Sequence, residues 1–138
     1  MKRLHVLLIE DDEIERLKFK RVCDKNKLNL TIAEAKNGEI ALEILINGTF
    51  LPDFILLDLN MPKMNGIEFL KLLKSKERIK YIPIIILSSS NNHNDVKECY
   101  KVGIAGYVIK PLHYEEYSER IDSLIKYWNH NELPTRII

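Results

Sequence analysis

Four short apolar runs in this sequence each end on side chains that could take part in a reaction. Leu4 to Ile9 leads into three successive acids, Glu10, Asp11 and Asp12, and Phe54 to Leu57 leads into Asp58. Ile84 to Leu87 is followed by Ser88, Ser89 and Ser90, and Gly106 to Ile109 by Lys110 and Pro111. Apolar runs without alternation read as strands buried on both faces, as in a parallel sheet. The carboxyl ends of parallel strands share one edge, and in open α/β sheets that edge is where ligands bind. A single acid at a strand end would merely solvate a loop. Acids, a hydroxyl and an ammonium at four ends can instead converge on one point.

The chemistry that needs this set is phosphoryl transfer to a carboxylate. Two carboxylates a few ångströms apart repel by about 4 kcal/mol at a moderate effective dielectric, so they stay ionised together only around a hard cation. Mg²⁺ suits a site of a few carboxylate oxygens, a backbone carbonyl and retained waters. The metal and Lys110 would neutralise the transferring group, and Ser88 could hydrogen-bond its oxygens. Asp58 is the expected nucleophile, because it stands centrally and a carboxylate needs no deprotonation at neutral pH.

The elements that must position these groups alternate along the chain. Helical patterns are expected over Glu13 to Asn26, Glu39 to Ile46, Gly66 to Lys74, Asp95 to Val102 and Glu115 to Trp128. The outer strand is expected over Leu28 to Ala33, where apolar and polar residues alternate. Pro52 and Pro83 precede buried strands, where a missing ladder donor costs least. Tyr117, Ile121, Leu124, Ile125 and Trp128 form a core-facing stripe on the last helix. Met61 and Met64 are expected to pack around the site loop. Five βα units with short connections predict an α/β fold: a doubly wound five-stranded parallel sheet with five helices. Residues 1–128 should form one domain and 129–138 a frayed C-terminal tail.

Bulk properties narrow the function classes. The 138 residues suffice for one core but not two, and 46% hydrophobic with 30% charged residues is ordinary for a globular protein. A net charge of +1 gives no field favouring nucleic acid or an anionic membrane. No stretch approaches membrane-spanning length. Cys23 and Cys99 lack metal-ligand spacing and read as free thiols of a reducing cytoplasm, and the four histidines have no such spacing either.

On the acids after the first strand, DLNMPKMNG, the Ser after IIIL, and YVIKP, the chain resembles the receiver domain of two-component response regulators over essentially its whole length. The hydroxyl lies 30 residues and the lysine 52 residues after Asp58, as in that family. The resemblance implies the flavodoxin-like receiver fold, with Asp58 the phosphoacceptor and Glu10, Asp11, Asp58 and the Asn60 carbonyl the Mg²⁺ ligands. It makes Ser88 the switch hydroxyl, Lys110 the phosphate-pairing ammonium and Tyr107 the rotameric aromatic. Pro62, Gly66 and Pro111 shape the loops, with the Lys110–Pro111 bond expected cis. If the first strand ran one residue longer, the acidic pair would be Asp11 and Asp12. Otherwise Asp12 caps the first helix.

The resemblance further implies a cytoplasmic, stand-alone switch that catalyses only its own phosphorylation and dephosphorylation. Its donor would be a histidine kinase or a histidine phosphotransfer protein, and its output an unidentified protein target or self-association as a homodimer. Two rivals use the same residues differently. An aspartyl-phosphate hydrolase of the haloacid dehalogenase type should carry a second acid where this chain has Asn60. A phosphorylation-independent binding module need not keep the full set of site residues.

Overall fold

The computed structural model describes residues 1–48, 51–63 and 65–136, so the expectation for Met64 lies outside the described residues. Strands β1 (Leu4–Ile9), β2 (Leu30–Ala35), β3 (Phe54–Leu57), β4 (Ile84–Ser88) and β5 (Gly106–Ile109) alternate with helices α1 (Glu13–Lys25), α2 (Gly38–Asn47), α3 (Gly66–Lys74), α4 (His93–Val102) and α5 (Tyr114–Asn129). The strands form one parallel sheet in the order β2-β1-β3-β4-β5.

Alternation of side chains along the central strands sorts the core into two halves. Leu7, Ile9, Ile55, Leu57, Ile84 and Ile86 pack with Ala41 and Leu45 of α2, Leu70 and Leu73 of α3 and Cys99 of α4. Leu4, Val6, Leu8, Phe54, Leu56, Ile85 and Leu87 pack with Phe19 and Val22 of α1 and Tyr117, Ile121 and Ile125 of α5. Helices thus cover both faces, which is why the central runs are continuously apolar. Cys23 and Cys99 are buried free thiols, and burial pushes the Cys23 thiol up to about 12.

Asx caps open the first four helices where they leave the carboxyl edge. Asp12, Asn37, Asn65 and Asn92 accept from Ile14, Ile40, Ile67 and Asn94 N–H at 2.9, 2.8, 3.1 and 2.9 Å. Each satisfies an orphan donor whose loss typically costs about 1 kcal/mol. Gly66 is required by space: a Cβ there would lie 2.9 Å from Leu59 Cα and 3.0 Å from its carbonyl oxygen. The loop after β3 therefore folds tightly back on α3.

Three expectations are corrected. The outer strand begins two residues later than its alternation suggested. Lys27 takes a left-handed turn (φ 53°) and Leu28 N–H closes the end of α1 on the Cys23 carbonyl, so pairing starts at Leu4↔Leu30. No cis peptide occurs among the described residues, so Lys110–Pro111 is trans, the isomer favoured for X-Pro bonds by about 0.5–1 kcal/mol.

The third concerns the tail, whose described part is docked rather than frayed. Leu133 is 1% exposed within the α1/α5 core, and Pro134–Arg136 forms a 3₁₀ turn. Arg136 reaches the buried Asp53 carboxylate at 2.8 and 2.7 Å, and Thr135 adds a bond at 3.2 Å. An apolar anchor and a buried acid needing a partner outweigh the chain entropy that would fray the end.

Candidate functional site

The register of the two central strands creates the site. Ile9 and Leu57 are paired, and the Asp58 N–H donates to the Ile9 carbonyl at 3.1 Å. Glu10 and Asp58 therefore leave the sheet side by side, at the β1/β3 point where the strand order reverses. Glu10 is 3% exposed and Asp58 8%. Glu10, Asp11 and Asp58 each offer an oxygen within 4.8 Å of the others. Asp12 stands apart as the α1 cap, because β1 ends at Ile9.

The hydroxyl and the ammonium arrive through the next pairings. Ser88 closes β4 opposite Ile109, and the Lys110 N–H donates to the Ser88 carbonyl at 2.9 Å. Fully buried, Ser88 Oγ accepts from Asn60 Nδ2 at 3.0 Å and from Ser90 N–H at 3.2 Å. Since Asn92 caps α4, Ser88 is not a helix cap. Lys110 Nζ lies 2.7 Å from Glu10, 3.5 Å from Glu15 and 3.9 Å from Asp58. The Asn60 N–H donates to Asp58 Oδ1 at 3.1 Å. Half-buried Tyr107 donates its hydroxyl to the Ser90 carbonyl at 2.8 Å. Pro62 is exposed on the loop after β3, with Gly66 at its far end.

Electrostatics mark the cluster as strained by charge. Burial pushes the Glu10 carboxyl up to about 7, opposed by Lys110 and reinforced by Asp58. Burial pulls the Lys110 ammonium down, but its bond to Glu10 and the charges of Asp58, Glu10 and Glu15 leave it above its ordinary value. One ammonium among four carboxylates leaves an excess negative charge that a divalent cation would relieve. The donor set, three carboxylates with oxygens within 4.8 Å of one another, fits a hard cation.

Two participants were not apparent in the sequence. Arg16 donates to the Glu10 carbonyl at 2.7 Å while pairing with Glu34 at 3.3 Å, which fixes the start of the acidic run. Glu15 reaches Lys110 from the first turn of α1. Glu13 and Glu15 are equally plausible from sequence, and only the rotation of α1 against the sheet distinguishes them. The aromatics of the last helix divide as core and rim: Tyr117 is buried, while Tyr114 and Trp128 are half-buried against the same core. No helix among the described residues is long and apolar enough to cross a membrane.

Comparison with known proteins agrees with this geometry. The family model described as response regulator receiver domain matches residues 6–122. The chain is 30% identical to chemotaxis protein CheY of Pseudomonas aeruginosa over 123 residues, covering 89% of this chain and 97% of that one. It is 31% identical over 127 residues to the probable methanogenesis regulatory protein FilR2 of Methanothrix harundinacea, covering 89% and 82%. Among solved structures, the phosphorylated cyanobacterial phytochrome response regulator RcpA superposes with a TM-score of 0.88 at 25% identity, over 96% of this chain and 99% of that one. The Mn²⁺-bound form of response regulator Rcp1 gives 0.86 at 26%, over 95% and 99%.

Proposed function

The chain belongs to the response regulator receiver domain family, and from that premise we propose that Asp58 is its phosphoacceptor and Lys110, Ser88 and Tyr107 its switch. Phosphorylation-based switching is the standard function of this family, whose members act as signalling switches alongside histidine kinases and downstream targets. The observation that carries the assignment is the place of Asp58. Its carboxylate stands at the strand-order reversal, beside Glu10 and Asp11 and facing Lys110 at 3.9 Å.

Glu10, Asp11, Asp58 and the Asn60 carbonyl would hold Mg²⁺, whose chemistry when bound is to neutralise phosphoryl oxygens. The chain's own residues do the rest. An Asp58 oxygen attacks the phosphorus of a phosphohistidine, the P–N bond breaks, and the imidazole leaves with the electron pair. Lys110 turns from Glu10 toward the new dianion. Ser88 exchanges its accepting role toward Asn60 and Ser90 for donation of its O–H to a phosphoryl oxygen. That movement disturbs the Ser90 segment to which Tyr107 is tied, so the aromatic turns inward and the face around α4, β5 and α5 changes. The result is a population shift set by the phosphoryl group's differential interaction with the two arrangements. The phosphoryl donor is a histidine kinase or phosphotransfer protein of the cytoplasm, and the chain catalyses no chemistry beyond gaining and losing this group. The hydrolase alternative calls for a second acid where this chain has Asn60, whose amide instead donates to Ser88 and Ser89.

Incubation with acetyl phosphate and Mg²⁺ is expected to add one alkali- and hydroxylamine-labile phosphoryl group by intact mass, and Asp58→Asn to abolish it. An adduct that survives the substitution, or none on the wild type, would overturn the assignment.

A further inference from the structure

Lys110 is held by more than the acids assigned to the reaction. Between Glu10 at 2.7 Å and Asp58 at 3.9 Å, a further carboxylate oxygen, Glu15 Oε2, stands 3.5 Å from its ammonium. Glu15 belongs to α1 and lies outside the cluster of three acids. Its Oε2 is shut off from solvent and has no hydrogen-bond partner among the described residues. A shielded carboxylate oxygen is costly unless a cation faces it, and Lys110 is that cation.

We propose that Glu15 is a positioning residue that tethers Lys110 to α1 in the resting state and so opposes its transfer to a phosphoryl group on Asp58. This rests on the reading of Asp58 as phosphoacceptor. Phosphorylation raises the charge on the Asp58 side chain toward about −2, and one ammonium cannot serve both that group and Glu15 at full strength. What Lys110 gains on β3 it gives up on α1, so Glu15 sets part of the free-energy difference between the two states. The Glu15 side chain is 30% exposed, so solvent reduces the tether to the weight of a partly exposed ion pair. Glu13 carries the same charge in the same turn but is exposed, and it serves as the control.

The test is the affinity of the full chain for beryllofluoride with Mg²⁺, a mimic of the aspartyl phosphate, by titration calorimetry. Glu15→Gln is expected to bind it about three- to fivefold more tightly than wild type, with no gain in affinity for Mg²⁺ alone, and Glu13→Gln to match wild type. Glu15→Ala should show the same gain, because it too lacks the charge while favouring the helix. Unchanged or weaker beryllofluoride binding in both Glu15 variants overturns the tether. So does an equal gain in Glu13→Gln, which would make the effect one of general charge. Failure of the wild type to bind beryllofluoride would overturn the phosphoacceptor reading instead.

Discussion

The two edges of the sheet each bury a carboxylate against a cation at the same distance, and they put it to opposite use. At the carboxyl edge Glu10 meets Lys110 at 2.7 Å, and at the amino edge Asp53 meets Arg136 at 2.7 Å. Among the described residues no acid perturbs Asp53, which collects the His5 N–H at 2.8 Å, the Thr135 hydroxyl and two guanidinium bonds. Burial raises its carboxyl, but those donors more than reverse this and hold it below the ordinary range. Glu10 has one long backbone donor, Asp12 N–H at 3.3 Å, and shares its cation with Glu15 and Asp58. Its carboxyl is pushed up to about 7. A buried ion pair is a lock when its remaining lone pairs are satisfied. It is a switch when other carboxylates compete for its cation.

Removing each cation should separate the two most sharply. Arg136→Met leaves Asp53 buried and short of donors and is expected to cost about 3 kcal/mol of stability in urea unfolding, with acetyl phosphate labelling of the folded protein unchanged. Lys110→Met is expected to cost less than about 1 kcal/mol, because Glu10 can take up a proton instead. Its labelling rate should fall about 100-fold or more, the loss typical of a charge aimed at a transferring group. Equal stability losses in the two variants would erase the distinction between lock and switch.

Titration should then show opposite signs. Glu10 moves from 4.5 to about 7 on folding, so between these values the folded state binds more protons than the unfolded chain. Its contribution is therefore full below about pH 4.5 and declines as pH rises toward about 7, by about 3 kcal/mol in EDTA. Glu10→Gln should flatten that decline, and excess Mg²⁺ should do the same in the wild type. Asp53 is shifted downward, so its contribution is present above the unfolded carboxyl range and is lost as pH falls through its folded value. Asp53→Asn should weaken the acid-side loss while leaving the decline toward pH 7 in place. Stability that rose between about pH 5 and 7 in EDTA would contradict the assignment for Glu10.

Legibility from sequence differed between the edges for the same reason. Asp58, Ser88 and Lys110 each follow an apolar run, and parallel topology guarantees that such ends meet; no knowledge of packing was needed. The lock is written across 83 positions, from Asp53 just before one strand to Arg136 near the chain end. Nothing local marks either residue, and a polar tail with a proline reads as fraying unless the buried acid it serves is known. Glu15 fell in between: an acid in the first turn of α1 is legible, whereas which of two such acids faces Lys110 depends on helix rotation. The start of the outer strand was misplaced because alternation cannot register a left-handed residue such as Lys27.

The smallest expected effect tests how satisfied the lock is. Thr135 Oγ1 donates to Asp53 Oδ1 at 3.2 Å, the longest of the four bonds that carboxylate accepts. Thr135→Val keeps the shape of the side chain and removes only the donor. The Arg136 fork and the His5 N–H remain, so Asp53 stays ionised and paired. The expected cost is therefore that of one neutral-donor hydrogen bond, about 1 kcal/mol in urea unfolding, well short of the loss expected for Arg136→Met. A cost as large as that of Arg136→Met would mean that the pair holds only when every donor is present. The amino edge would then be as finely balanced as the carboxyl edge, and its resemblance to a lock would be lost.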